Sequence, residues 1–231
     1  FDFVYFGGGT PSFLSSAQLE RLVERINRYW RWDAAREVTF ECEPGTLKRG
    51  KLQTIRRIGV SRLSLGIEHW DDALLELNGR AHRSAEITRA YDWAREVGFE
   101  QINVDLIAGM AGDDEAGWKR AVEKTLALRP DSLTVYQMEL PHNTVFSRDA
   151  KDGGQVPIAD WSTKRRWVDY AFAEFERCGY EVSSAYTVVL PQRHRGFVYR
   201  DALWHGADMV GTGVASFSHV GGVHYQNLDR W

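Results

Sequence analysis

The sequence predicts an α/β fold, a partial (β/α) barrel of parallel strands followed by a small C-terminal α+β extension. Short apolar segments alternate with longer helix-like segments over the first part of the chain, which is typical of βα units and a parallel sheet. Each strand-like segment ends at glycine or polar residues. The rhythm changes after Pro141, so we predict a core of residues 1–141 and a C-terminal region, 142–231, that completes or caps it.

The core is predicted to hold five strands, at residues 3–6, 38–41, 60–67, 101–107 and 133–136. The first helix follows Ser15, which with Gln18 resembles a capping box. Its predicted apolar face contains Leu19, Leu22, Val23, Ile26 and Trp30. Further helices are expected at about 47–57, at 72–77, after a cap at Ser84, and around Trp118 before Pro130.

The C-terminal region is predicted to contain a long helix at 161–178 and a strand-like segment at 180–186. Residues 151–154 have the composition of a loop tip. Glycines at 211, 213, 221 and 222 surround short extended runs, which predicts a closing hairpin.

Composition limits the function classes. The chain has 231 residues, 43% of them hydrophobic, and a net charge of −3, which argues against a general nucleic-acid or anionic-membrane binder. No apolar run reaches the roughly 18 residues of a membrane helix. Cys42 and Cys178 are far apart and lack metal-ligand spacing, so we expect a reducing, cytoplasmic setting.

The stretch Gly7-Gly8-Gly9-Thr10-Pro11 follows the first strand directly. Consecutive glycines permit positive φ angles and let a ligand contact bare backbone, although a tight strand-to-helix turn needs the same residues. No Gly-Lys-Ser/Thr follows, and no further glycine stands three residues on, so the phosphate-binding P-loop and the dinucleotide fingerprint are both excluded.

Polar side chains collect where the predicted strands end. They are Glu41 and Glu43, Glu68 and His69, Asp105, Gln137 and Glu139, with Arg80 and His82 after a short helix. Ligands gather at this edge of parallel sheets, so one rim could hold a ligand with an amine, a carboxylate and ribose hydroxyls. Taken singly, each residue could instead be a helix cap or an ion-pair partner.

Five segments in this order resemble the radical S-adenosylmethionine enzymes of the oxygen-independent coproporphyrinogen III oxidase type. They are Gly7 to Pro11, Glu41-Cys42-Glu43-Pro44, Arg62 to Glu68, Gly79-Arg80-Ala81-His82 and Asn103 to Gly109, and Gly211 to Ser218 resembles a later motif. The resemblance implies a radical S-adenosylmethionine partial barrel whose first βα unit is missing here. It also implies S-adenosylmethionine and a 4Fe-4S cluster as cofactors, which together supply a 5'-deoxyadenosyl radical.

Carried over residue by residue, Gly8, Gly9 and Thr10 would hold the methionine end of S-adenosylmethionine. Glu41, Arg80 and Asp105 would bind its polar groups. Further cofactor contacts are expected from Glu68, Glu139 and Phe217.

The sequence departs from the family pattern in two ways. The Cys-x-x-x-Cys-x-x-Cys cluster loop is expected upstream of Phe1, and Cys42 and Cys178 cannot replace it because three thiolates must converge on one cluster. The chain as given is therefore expected to bind no cluster and to do no radical chemistry. In addition, Glu68 stands where the oxidases carry glutamine.

The first choice of reaction is oxidative decarboxylation of coproporphyrinogen III in porphyrin synthesis, with an electron donor such as flavodoxin or ferredoxin. Alternatives are a methyltransferase or cyclopropanase that uses two S-adenosylmethionine molecules, acting on an aromatic or natural-product substrate, and a non-catalytic haem chaperone. Two residue sets are candidates for substrate contact: Arg165, Arg166, Arg193 and Arg195 for propionates, and Tyr136, Tyr186, Tyr199 and Trp204 for an aromatic pocket. A solvated basic face and core packing are the respective alternatives.

Overall fold

A computed structural model describes residues 1–139, 158–193 and 195–230. Its main feature is a seven-stranded sheet in the order β1-β2-β3-β4-β5-β7-β6. The strands are β1 (Phe3–Phe6), β2 (Glu37–Cys42), β3 (Arg62–Glu68), β4 (Gln101–Ala108), β5 (Ser132–Gln137), β6 (Glu181–Val182) and β7 (Thr187–Val189). β1 to β5 are parallel, whereas β7 pairs antiparallel with both β5 and β6. A separate hairpin joins β8 (Phe217–Val220) to β9 (Val223–Gln226).

The helices follow the strands in the predicted alternation. They are α1 (Ser16–Asn27), α2 (Arg49–Arg57), α3 (Asp72–Leu77), α4 (Ser84–Val97), α5 (Glu115–Leu128), α6 (Trp161–Arg177) and α7 (Val198–Trp204). The parallel α/β core is confirmed, and no closed barrel forms among the described residues. In these ranges, every helix is too short or too polar to span a lipid bilayer.

The two faces of the parallel sheet differ in chemistry. Leu63, Leu65 and Ile67 of β3 are fully buried, as are Ile102, Val104 and Leu106 of β4, and this face belongs to the core shared with the helices. The intervening residues are largely polar and include Thr39, Ser64, Asn103, Asp105 and Thr134. Because successive side chains of a strand point to opposite faces, the second face of the sheet is polar and free to line a cavity.

Most predicted helix limits hold, and the capping box is confirmed. Gln18 N–H donates to the Ser15 hydroxyl at 3.2 Å, and Ser15 N–H donates to the Gln18 side chain at 2.8 Å. The predicted apolar face of α1 is only partly correct, since Leu19 and Val23 are buried but Leu22 and Trp30 are exposed, and Trp30 lies beyond the helix.

Two predictions are wrong. Ser84 does not cap α4 but is its first residue; Arg83 occupies the cap position, with its N–H bound to Glu86, while Ser84 N–H donates to Asp72 Oδ1 at 2.7 Å. Residues 180–186 do not form one strand: only Glu181–Val182 is extended, and a turn leads into β7. The turn is closed by N–H bonds from Ser183 and Ser184 to the Thr187 carbonyl. The predicted loop tip at 151–154 lies outside the described residues.

Candidate functional site

The glycine-rich loop and the end of β2 are tied together. Gly8 adopts φ +98°, and its N–H donates to Glu41 Oε2 at 3.1 Å. The Tyr5 hydroxyl donates to the other oxygen of the same carboxylate. At Gly7, a Cβ would clash with the Tyr5 ring and approach the Glu41 carboxyl carbon to 3.1 Å. Glycine is therefore required for this close approach, and Glu41 is held with both oxygens engaged.

The backbone beyond Gly8 is uncovered on its outer side. A Cβ added at Gly8 or Gly9 would meet no atom within 4 Å. Thr10 lies in the left-handed region, with φ 62°, and its N–H donates to the Gly8 carbonyl at 2.8 Å. The buried Ser12 hydroxyl accepts from Glu43 N–H at 3.1 Å, so the loop is fixed to the segment after β2. A rigid stretch of bare backbone results, suited to close contact with a ligand.

Asp105 lies on the polar face of the sheet inside a hydrogen-bond network. Ser64 Oγ and Asn103 Nδ2 each donate to one of its carboxylate oxygens, both at 2.8 Å. The Asn103 carbonyl in turn accepts from the hydroxyls of Ser132 at 2.8 Å and Thr134 at 3.2 Å. Register alignment places Gly66 beside Asp105, and a Cβ at Gly66 would lie only 2.9 Å from Glu68 Oε1, so glycine allows the Glu68 carboxylate to approach this strand closely.

Burial raises the pKa of Asp105 to about 7 from its usual 3.8, with smaller upward contributions from Glu68 and Glu41. Hydrogen bonds from Ser64 and Asn103 act in the opposite direction. The network therefore only partly offsets the cost of a carboxylate among other acids.

The end of β3 adds an ion pair to this edge. Glu68 has a left-handed backbone, φ 65°, at a register shift between β3 and β4. Its Oε2 lies 3.4 Å from Arg80 Nη2. Burial raises the pKa of Glu68, while the Arg80 and His82 charges lower it. The buried His82 is bound through its two nitrogens to Glu43 Oε1 at 3.1 Å and to the Ile67 carbonyl at 3.0 Å.

Three of the predicted acids lie close enough to Tyr136 to raise its pKa. The pKa of Tyr136 is raised by burial and then by the charges of Asp105, Glu41 and Glu68. Gly8 is bonded to Glu41, and Arg80 is paired with Glu68. These five predicted residues therefore share one region, the mouth formed by the carboxyl ends of β1 to β4.

Glu139 and Phe217 are not joined to this mouth by any contact among the described residues. Glu139 is exposed just after β5, where its charge acts on Lys164 of α6. Phe217 is 64% exposed on the β8–β9 hairpin. Their cofactor roles stay predictions.

A cavity of about 240 Å³ opens on the polar face of the sheet. The four aromatic residues that the sequence singled out all line it: Tyr136, Tyr186, Tyr199 and Trp204. Asp105 and Ser64 line it as well, so the mouth and the cavity are continuous. The predicted basic set does not line it. Arg165 and Arg166 are exposed on α6, and Arg193 and Arg195 pair with Asp131 and Glu100.

Sequence reasoning missed several residues that build the site. Tyr5, Ser64, Asn103 and Thr134 bind the predicted acids or their partners directly. Tyr5 lies in β1, whose sequence carries no such signal, but Ser64, Asn103 and Thr134 belong to an alternation of polar and apolar residues that runs through most of β3 to β5. A parallel strand covered by helices on both faces reads instead as a continuous apolar run.

The described residues provide no group of three or more His, Cys, Asp or Glu side chains that could hold a metal ion. Cys42 is buried, which raises its thiol pKa, and Cys178 is exposed. The residues at hand therefore do not form a site for an iron-sulfur cluster.

Comparison with known proteins agrees with this geometry. Residues 1–125 match the Radical SAM superfamily, and the chain belongs to that superfamily. Within it, the chain is homologous to the coproporphyrinogen III oxidase HemN and to the haem chaperone HemW.

The curated relatives include both activities. The chain is 30% identical to the haem chaperone HemW of Lactococcus lactis and 28% identical to that of Bacillus subtilis, over 97% of this chain and 59% of each relative. It is 26% identical to the oxygen-independent coproporphyrinogen III oxidase of Escherichia coli, over 97% of this chain and 51% of the oxidase. The chain thus spans little more than half the length of these relatives.

The solved structure of Escherichia coli coproporphyrinogen III oxidase, HemN, has the same fold. It superposes with a TM-score of 0.85 over 99% of this chain and 55% of the oxidase, at 24% identity. An archaeal Elp3 from Methanocaldococcus infernus superposes with a TM-score of 0.62 over 73% of this chain.

Proposed function

We propose that this chain forms the S-adenosylmethionine- and substrate-binding part of a radical S-adenosylmethionine oxidoreductase. The preferred reaction is oxidative decarboxylation of the coproporphyrinogen III type. The observation that carries the proposal is the convergence of bare Gly8–Gly9 backbone, the Glu41 and Asp105 carboxylates and Arg80 at one mouth beside an aromatic cavity. A cytoplasmic setting and a flavodoxin- or ferredoxin-like electron donor are part of the same proposal.

The residues at the mouth fit S-adenosylmethionine. Its hydroxyl and amine groups are donors, for which carboxylates are the matching acceptors, and Arg80 can pair with its carboxylate. The open space outside Gly8 and Gly9 admits a ligand against the backbone. When bound and reduced through a 4Fe-4S cluster, S-adenosylmethionine supplies a 5'-deoxyadenosyl radical.

The protein's own contribution is positioning. Tyr5 and Gly8 fix the Glu41 carboxylate, while Ser64 and Asn103 fix that of Asp105. Acceptors held in this way bind without first being ordered, which reduces the entropic cost of binding. The aromatic wall beyond Asp105 gives a substrate in the cavity an apolar surface to pack against and directs it toward the mouth.

A haem chaperone is the second candidate, because the HemW proteins of Lactococcus lactis and Bacillus subtilis are more similar in sequence than the Escherichia coli oxidase, at 30% and 28% against 26% identity. The same aromatic cavity would then hold part of a haem without turnover.

Binding of radiolabelled S-adenosylmethionine, measured by equilibrium dialysis, tests the proposed mouth. At about pH 8, above the pKa of about 7 of Asp105, Glu41→Gln and Asp105→Asn each remove one charged acceptor, worth about 1.5–3 kcal/mol. We therefore expect affinity to fall about 10- to 100-fold in each variant. Glu24→Gln on the exposed side of α1 is the matched control and should bind as wild type does. Unchanged binding by both site variants would refute the assignment.

Product analysis separates the candidate reactions. Protein carrying a reconstituted cluster is incubated anaerobically with a reductant, S-adenosylmethionine and coproporphyrinogen III. Decarboxylation predicts carbon dioxide together with 5'-deoxyadenosine and methionine. If the S-adenosylmethionine carries a labelled methyl group, methyl transfer predicts that the label appears in the product and that S-adenosylhomocysteine is formed. Haem is added to a separate sample of the same protein. A Soret shift there, together with no 5'-deoxyadenosine in the incubation, would favour the chaperone and contradict the preferred reaction.

A further inference from the structure

Arg62 lines the cavity while almost fully buried, with 3% of its surface exposed. Its Nε donates to Glu37 Oε2 at 3.0 Å, and its Nη2 donates to the Gly196 carbonyl. The third nitrogen, Nη1, is buried and has no hydrogen-bond partner among the described residues. A buried donor without an acceptor is costly and therefore points to a missing partner.

Arg200 lines the same cavity and repeats this feature. Its Nε donates to Asp201 Oδ1 at 2.8 Å, whereas its Nη1 is buried and unpartnered in the described ranges. The two guanidinium carbons lie over the same Phe197 ring, 4.2 Å from its centroid for Arg62 and 4.3 Å for Arg200. One aromatic ring thus holds two like charges close together, and each has an unused N–H.

The local acids do not supply the missing acceptors. Both Glu37 oxygens already accept bonds, from Arg62 and from the backbone N–H groups of Val198 and Tyr199. The Asp201 carboxylate is 47% exposed and bound through Arg200 Nε. An anion in the cavity would satisfy both free N–H groups and offset the repulsion between the two cations.

The cavity restricts which anion fits. Its aromatic lining, including Tyr199 and Trp204, favours a planar apolar body rather than a bare inorganic ion. At about 240 Å³, it is smaller than the roughly 300–1,000 Å³ of pockets for drug-sized ligands. It therefore suits a one-ring acid, or one acid-bearing ring of a larger molecule.

The strand register indicates how an acid bound at Arg62 would be oriented in the cavity. Arg62 pairs with Gln101 on β4, four residues before Asp105. At about 3.3 Å per residue, the arginine end lies roughly 13 Å along the strands from Asp105. A carboxylate at Arg62 would therefore leave the attached ring pointing back toward the mouth.

We propose that Arg62 and Arg200 form a carboxylate-binding subsite at the end of the cavity farther from Asp105, which orients an aromatic or heteroaromatic acid with its ring toward the mouth. The subsite takes the role that the sequence assigned to four surface arginines. The subsite depends on the proposed function in one respect only, which is that the bound acid is taken to be the substrate.

Calorimetric titration with 3-phenylpropionate and its neutral amide, without S-adenosylmethionine, tests the subsite. The acid should bind at least about tenfold more tightly than the amide, because only the acid makes charge-assisted bonds. Arg200→Gln should abolish this preference and leave amide binding unchanged. Arg166→Gln, on the exposed side of α6, is the matched control and should retain the preference.

Several outcomes would overturn the subsite: equal binding of acid and amide, absence of binding by either, an unaffected Arg200→Gln variant, or loss of preference in Arg166→Gln alone. Circular dichroism and thermal unfolding verify that Arg200→Gln is folded, and Arg200→Lys, which keeps the charge, provides a second variant with partial preference expected. S-adenosylmethionine affinity is measured separately on the same proteins. A negative result for acid binding would therefore refute the subsite but not S-adenosylmethionine binding at the mouth. A negative result for S-adenosylmethionine binding would refute the mouth but not the subsite.

Discussion

Replacing Asp105 with asparagine should stabilise the protein while weakening the cofactor binding that we propose. The pKa of this carboxyl is about 7 in the folded protein against an ordinary 3.8, so the folded state binds the proton more tightly than the unfolded state does. As pH rises through this interval, the wild type loses stability, and above about pH 7 the loss is complete. At about 1.36 kcal/mol per pH unit, the total is at most about 4 kcal/mol.

Asparagine has no such proton to lose, and its amide can retain both local contacts. Its oxygen can accept from Asn103 Nδ2, and its NH₂ can donate to the Ser64 hydroxyl, which now bond to the two carboxylate oxygens. The gain of Asp105→Asn over wild type should therefore grow by up to about 1.4 kcal/mol per pH unit between about pH 4 and pH 7, then stay constant.

Urea denaturation at a series of pH values measures this difference. Asp33→Asn, in an exposed pair with Arg31, is the control and should show no comparable slope. Parallel stability curves for Asp105→Asn and wild type would refute the reasoning. A stabilised variant with weaker S-adenosylmethionine binding would be the expected exchange of stability for function.

Two further perturbations test the scaffold of the site. Gly8→Ala places a side chain at φ +98° and should cost about 1–2 kcal/mol of unfolding free energy. Gly9 lies outside the left-handed region, so Gly9→Ala should cost much less. Equal losses of unfolding free energy in chemical denaturation would contradict the strain argument. Arg62→Met leaves the buried Glu37 carboxylate without its cation and should cost about 3–5 kcal/mol. Arg28→Met, which breaks an exposed pair with Glu24 at the end of α1, should cost less than about 1 kcal/mol. Similar losses in Arg62→Met and Arg28→Met would show that burial of the Glu37 pair is unimportant.

Much of the fold was predictable because its signals are local. Apolar periodicity and capping residues such as Ser15 identified the parallel core and most helix limits. The cap at Ser84 was mispredicted because Asp72, twelve residues earlier, binds the Ser84 N–H. The strand predicted at 180–186 is broken because Thr187 closes a turn, and apolar composition alone does not show where a short strand turns back.

The candidate site was only partly predictable, because its individual residues give local signals in the sequence but its contacts do not. Glu41 and Asp105 could be selected because acids inside short, otherwise largely apolar strand segments are conspicuous in sequence. Tyr5 and Asn103 could not be given partners, since these depend on which strands are neighbours and in which register. Arg62, one of the two arginines that line the cavity, is predicted only as part of a strand and becomes notable only through its unpartnered Nη1.

The proposed cofactor contact with bare backbone can be observed directly. Protein labelled with ¹⁵N-glycine is titrated with S-adenosylmethionine, and amide resonances are followed by NMR. Gly8 and Gly9 at the mouth, with Gly66 beside Asp105, should shift with a common saturation curve, while Gly98 and Gly179, which follow α4 and α6, should not move. Saturable binding that leaves Gly8 and Gly9 unshifted would contradict the account.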